Sequence, residues 1–121
     1  TNKVAMFTNT ITPNFSTDTA YGVAPYNANE VSGTGYTAGG NVVASPTNTE
    51  SPTGTFMYDL ADASWTTSTI TNARCSLLYS DALAGNNAIC LVNFGADYST
   101  VAGTFTIQWA AGGMFTIDLT P

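Results

Sequence analysis

The sequence has no histidine and only two basic residues, Lys3 and Arg74, against eight acidic ones, for a net charge of −6. Without histidine, the commonest general base and the commonest transition-metal ligand are both missing. Two cations cannot displace the counterions of a phosphate backbone, which excludes nucleic acid as a partner and argues equally against anionic membrane surfaces. Charged residues make up 8% of the chain, against about 25% in a typical domain. The surface must therefore be covered by Thr, Ser, Asn and Gly. No apolar run approaches the roughly 20 residues of a membrane span. The residues from Thr1 onward lack the basic-then-apolar pattern of a secretory leader, which leaves an already removed leader open. Cys75 and Cys90 are the two cysteines, too few for a disulfide framework. Each sits in an apolar run and reads as a small buried hydrophobe.

What remains is rich in β-formers. A chain of 121 residues, 44% hydrophobic, suits one domain spanning residues 1–121 that buries about two thirds of its extended-chain surface. Its apolar periodicity is two. Phe105, Ile107 and Trp109 alternate with Thr106 and Gln108. After Ala110-Ala111-Gly112-Gly113, Phe115, Ile117 and Leu119 alternate with Thr116 and Asp118. The two runs read as a β-hairpin. Ala73 to Ser80 and Ala88 to Phe94 are mostly apolar and read as central strands joined by the loop Asp81 to Asn87. Folding this hairpin about Leu83 sets Tyr79 near Ala88 or Asn87 and Cys75 close to Cys90, so a bridge between the cysteines stays open.

Further strands are predicted at Lys3 to Thr8, Asn41 to Ser45, Thr55 to Leu60 and Trp65 to Thr71, with Asp59 and Asp62 in the turn between the last two. Only Ser16 to Tyr21 suggests a helical turn, capped by Ser16 or Thr17. About seven or eight strands with frequent turn signals predict an all-β antiparallel sandwich or barrel. Two long loops break the pattern, residues 12–28 and 45–54. Loops of this length in a compact domain are functional or mobile. Between them, Gly33, Gly35, Gly39 and Gly40 suggest tight backbone turns. They continue neither a dinucleotide nor a P-loop fingerprint.

No catalytic, cofactor or metal site is expected. No Ser or Cys has a base nearby in the pattern. Asp59, Asp62 and Asp97 would suit calcium or acid–base work, but Asp in turns chiefly bonds its own backbone. Asn14-Phe15-Ser16 matches the glycosylation sequon. Trp65, Trp109, Phe105 and Phe115 sit in predicted strands and read as core. Tyr21, Tyr26, Tyr36 and Tyr98 sit in loops or turns and are the candidate contact residues for a partner.

Four phrases carry a resemblance. They are Lys3-Val4-Ala5-Met6-Phe7-Thr8-Asn9 with Thr12-Pro13-Asn14; Asn29 to Gly40; Ala63-Ser64-Trp65 with Ser68 to Thr71 and Ala73-Arg74; and Val92 to Asp97 leading to Gly103 to Trp109. In order over almost the whole chain, they resemble a family of small tailed-bacteriophage virion proteins, the capsid decoration or minor capsid (head) proteins. The pair Cys75 and Cys90 and the loop 45–54 fall outside the pattern. The resemblance implies a non-enzymatic structural protein, assembled in the host cytoplasm, that binds the major capsid protein on the outer surface of the virion and stabilises the shell. A homo-oligomer, with a trimer favoured, suits that role. The loops 12–28 and 30–40 are candidates for its contacts. The alternative is a tail- or fibre-associated carbohydrate- or receptor-binding module that uses the same four tyrosines as stacking platforms.

Overall fold

The computed structural model describes residues 1–44, 46–50 and 52–120. Among them the chain is all-β, with seven strands in two antiparallel sheets and no helix. The larger sheet has the order β2-β1-β5-β6, where β1 is Asn2–Thr8, β2 Asn41–Val43, β5 Ala63–Ser80 and β6 Ala88–Ile107. The smaller has the order β3-β4-β7, from Thr47–Glu50, Thr55–Asp59 and Phe115–Asp118. The predicted β-sandwich is the observed architecture.

The large sheet is buried on both faces at its centre. In β1, Val4 and Met6 point one way and Ala5 and Phe7 the other, and all four are buried. The first face joins Trp65, Ile70, Leu78, Phe105 and Ile107 in the main core, against which Tyr58 and Met114 of the small-sheet region pack. The second face joins Cys75, Leu77 and Tyr79 with Ile11 and Tyr26. Here the loop 12–28 takes the place of a second layer: the Tyr26 ring meets Phe7 edge-on at 5.3 Å, and Tyr21 stacks on Tyr79 at 4.6 Å. Fully burying each such side chain stabilises by about 1.5–3 kcal/mol. Beyond the short β2, the outer edge of β1 is completed by the segment 29–36. Val31 N–H donates to Met6 O, and Met6 N–H donates to the Tyr36 hydroxyl.

β5 runs for 18 residues without losing its buried face. Simple alternation would fail over that length, because the strand must curl with the core. Two left-handed residues, Thr67 (φ 52°) and Asn72 (φ 55°), reset it. Each follows another exposed residue, so Trp65, Ser68, Ile70 and Ala73 all stay inside. These are β-bulges, which add one unpaired residue and sharpen the bend. They also explain why Trp65 to Thr71 and Ala73 to Ser80, read as separate strands, are one.

Four further expectations are corrected. Tyr79 does oppose Ala88, but Leu78 opposes Cys90 while Cys75 opposes Asn93. Ile89 is an extra residue on β6 that slides the register, and the two cysteines pack into different clusters. Both thiols are free. The hairpin of Phe105–Trp109 with Met114–Leu119 does not form. Phe105 and Ile107 belong to β6, opposite Trp65 and Ala63, while β7 pairs with β4. The alternation was real, but the chain crosses between sheets there. Trp109 N–H donates to Asp62 Oδ1 and its indole N–H to Ala61 O, which fastens it to the β4–β5 connection. The stretch 45–54 holds β3, whose four residues are all exposed and carry no apolar pattern. Its Ser45 and Ser51, and with Ser45 the end of the strand predicted from Asn41, lie outside the described residues. The turn expected from Ser16 starts earlier, where the Asn14 carbonyl accepts the N–H groups of Thr17 and Asp18, and it does not grow into a helix.

The glycine-rich segment is shaped by close approach. A Cβ on Gly40 (φ 73°) would overlap the carbonyl of Val4, and one on Gly33 (φ 145°) that of Thr69. Gly40→Ala is expected to cost about 3–4 kcal/mol in urea unfolding, from overlap plus left-handed strain. Gly95→Ala has the same φ problem (78°) but open space, and should cost only about 1 kcal/mol.

Candidate functional site

The four candidate tyrosines part company. Tyr26 is 3% exposed and is a core residue. Tyr21 and Tyr36 both donate to the carboxylate of Glu30, at 2.9 and 2.7 Å, and Gly39 N–H donates to it at 2.7 Å. Tyr36 also stacks on Trp65 at 5.9 Å. These two rings are held inward by a buried-edge network that joins loop 12–28, the glycine-rich segment and β1. Burial, followed by the hydrogen bond to Glu30 and its charge, pushes the Tyr21 phenol up to about 12. Tyr36 and Tyr79 are pushed above the ordinary range, chiefly by burial. Only Tyr98 keeps an open face, at 51% exposure.

The charged residues are occupied in local scaffolding. Asp97 receives Arg74 Nε and Asn9 Nδ2, both at 2.7 Å, and so pins the bulge of β6 to the start of the chain. Lys3 pairs with Asp81 at 3.0 Å. Asp59, Asp62, Asp18, Glu50 and Asp118 each accept a backbone N–H. All eight carboxylates thus have a partner within the chain. The calcium reading of Asp59 with Asp62 fails on direction, since Asp62 turns to Trp109 and Asp59 to Leu60. No cluster of three potential metal-ligating side chains occurs among the described residues. Burial pushes the Cys75 thiol up to about 11, the opposite of what a nucleophilic cysteine needs.

Two surface features remain. The first is a shallow cavity of about 190 Å³ on the loop side of the large sheet, lined by Phe15, Tyr26, Leu77, Ile89 and Leu91 among others. Phe15 is 82% exposed there. Its turn is not slack: Asn14 N–H donates to Asp18 Oδ2, and Ser16 N–H donates to Asn14 Oδ1. The sequence marked this tripeptide only as a sequon.

The second is a groove of about 550 Å³ along β6, whose lining includes Phe94, Tyr98, Phe105 and Trp109. Between Ala73↔Tyr98 and Cys75↔Asn93, β5 advances two residues while β6 advances five. The three surplus residues fall within Phe94 to Asp97, with Gly95 at φ 78°, and this segment bulges out and bends the ribbon. The Phe94 and Phe105 rings come within 6.2 Å, although a straight strand would separate them by about 36 Å. The sequence pattern puts Phe94 and Trp109 in separate strands and Trp109 in the core; Trp109 is instead half-buried, and only the bend makes the two neighbours on a surface.

Replacing Glu30 with Ala leaves three donors without their acceptor, and should cost about 2–3 kcal/mol in thermal or urea unfolding. Stability should also fall as pH rises from about 10 toward 12. Unfolded Tyr21 loses its proton near 10 and the folded group near 12, so the unfolded state binds fewer protons in that window. The contribution is complete below pH 10, and circular dichroism in urea across that range measures its loss. In comparison with known proteins, no family model matches the chain, and no curated protein or solved structure is significantly similar to it.

Proposed function

We propose that this domain is a structural virion protein that binds the outer surface of a phage capsid, on the major capsid protein, and stabilises the shell without catalysis. The observation that carries this reading is Phe15. A large apolar ring stands in solvent on a turn whose backbone is already fixed by Asn14 and Asp18. Inside the chain the ring gains little, and the order of the turn has been spent for nothing unless a partner covers it. Pre-ordered, exposed aromatics are what anchor protein interfaces, because little entropy is left to lose on binding. Ile89, 42% exposed, and Leu91 lie beside it in the same cavity and widen the apolar patch.

The order of the four sequence phrases supports the same reading. So does the use of every carboxylate for scaffolding, which leaves hydroxyls, amides and apolar groups for contact. The net charge of −6 keeps the domain away from packaged DNA and on the outside. Among the described residues, the edge strands β2, β3 and β7 give neighbouring copies strands to pair with, which suits a trimer around a local three-fold axis of the shell.

The test uses shells stripped of the protein and then reloaded. Reloaded shells should survive heating or osmotic shock that opens bare ones, with copies bound in multiples of three per site. Phe15→Ala should keep its unfolding free energy within about 0.5 kcal/mol of the parent, yet bind shells at least about tenfold more weakly. Equal survival of bare and reloaded shells would remove the role.

A further inference from the structure

We infer that the groove on β6 is a binding site for a neutral oligosaccharide. It uses different residues from the Phe15 patch and lies toward the other face of the large sheet, so it does not depend on the shell-binding reading.

The groove is built rather than left over. Its bend is imposed by the surplus residues within Phe94 to Asp97, which Arg74 and Asn9 hold in place through Asp97. A second left-handed residue, Ala102 (φ 47°), kinks the strand again before Phe105. Trp109 is fixed at the rim by two hydrogen bonds, one from its backbone to Asp62 and one from its indole to Ala61. Its indole N–H is thereby satisfied, and the ring is half-buried in a set orientation. Tyr98 is the other exposed ring, set edge-on against Phe94 at 6.3 Å. The volume of about 550 Å³ falls within the range of about 300–1,000 Å³ typical of ligand sites.

The chemistry of the lining chooses the ligand. Apart from the Tyr98 phenol, none of the lining side chains is ionisable, so there is nothing to select a phosphate, a carboxylate or a cation. Aromatic surfaces alternate with hydroxyls and amides. Among the described residues, the side chains of Thr104 and Gln108 have no hydrogen-bond partner, while the Asn93 side chain spends only its oxygen, on Gly95 N–H. A pyranose presents an apolar face of C–H groups and a rim of hydroxyls. Fixed rings can take the face, and free amides and hydroxyls can take the rim.

An extended peptide added to the free edge is the rival occupant. Strand addition needs a flat, continuous edge, and β6 is broken by bulges at Gly95 to Asp97 and at Ala102. Bulges are a device that prevents such pairing.

The experiment titrates the intact chain with maltohexaose, cellohexaose, chitohexaose and mannohexaose by calorimetry, and maps the binding sugar by amide chemical shifts. At least one should bind at millimolar concentration or better and shift Thr104 and Gln108. Tyr98→Ala and Trp109→Ala should each weaken it about tenfold or more, with Phe15→Ala unchanged. Tyr98 is exposed, so its variant folds even if the Trp109 variant does not. No binding by any of the four, binding undiminished in Tyr98→Ala, or preferential binding of a Thr- and Val-rich unstructured peptide that protects β6 amides would each overturn the inference. Loss of sugar binding with shell binding intact, or the converse, separates this site from the Phe15 patch.

Discussion

The carboxylate of Glu30 is the point on which the covering of the large sheet depends. It receives Tyr21 from the loop 12–28, and Tyr36 with Gly39 from the glycine-rich segment. Through the Tyr36 hydroxyl it reaches Met6 N–H at the centre of β1. A sheet whose middle strands are apolar on both sides needs two coverings: the small sheet packs on one face, the loop 12–28 lies on the other, and the glycine-rich segment closes the edge of β1. The loop and the glycine-rich segment are irregular, with backbone groups to satisfy, and a buried backbone group left unpaired costs as much as the hydrogen bond it lost. One acidic side chain with two oxygens fastens both at once. The same geometry explains the two glycines: the segment passes so close to β1 that a Cβ on Gly40 would overlap the Val4 carbonyl, while Gly39 takes a left-handed φ of 89° beside the Tyr79 hydroxyl.

The second constraint is length. Strands of 18 and 20 residues would outrun a core of this size if straight, at roughly 60 Å. The left-handed residues of β5 and the surplus residues of β6 fold that ribbon back on itself. On the inner side, the bend keeps Trp65, Ile70 and Phe105 in one core. At the free edge, it gathers Phe94, Tyr98 and Trp109 into a concave surface. The packed core and the groove have the same structural origin.

This is also why some of the molecule was legible in the sequence and some was not. Period-two alternation marked β7 and the end of β6, and the mostly apolar runs on either side of the Leu83 loop marked the centre of the large sheet, with Tyr79 opposite Ala88, because the apolar pattern records which faces a strand can bury. Pairing between distant strands leaves no such record: Phe105–Ile107 and Phe115–Asp118 alternate equally well whether they face each other or different partners. β3 escaped because an edge strand with no buried face has no periodicity to show. Bulges escaped because Thr67, Asn72 and Ala102 are ordinary strand and surface residues whose left-handed geometry is forced by the curl. The tyrosines part company for a related reason. A loop position says nothing of whether the loop lies over a core, and only Tyr98, which lies in β6 and not in the expected loop or turn, stayed open.

The scarcity of charge acquires a physical meaning from these placements. A solvent-facing domain ordinarily spreads charges to stay soluble and to discourage sticking. Here each carboxylate and both cations are tied into turns, bulges and crossings, so the outward surface offers hydroxyls, amides and a few fixed aromatic rings. Such a surface loses little on desolvation compared with a charged one, and its contacts are screened little by salt. Its specificity must then come from shape and from rings held in place beforehand. Phe15 is held by the Asn14–Asp18 turn, and Trp109 by Asp62 and Ala61. In both cases a charged side chain acts by fixing the backbone at or beside an aromatic ring of the surface.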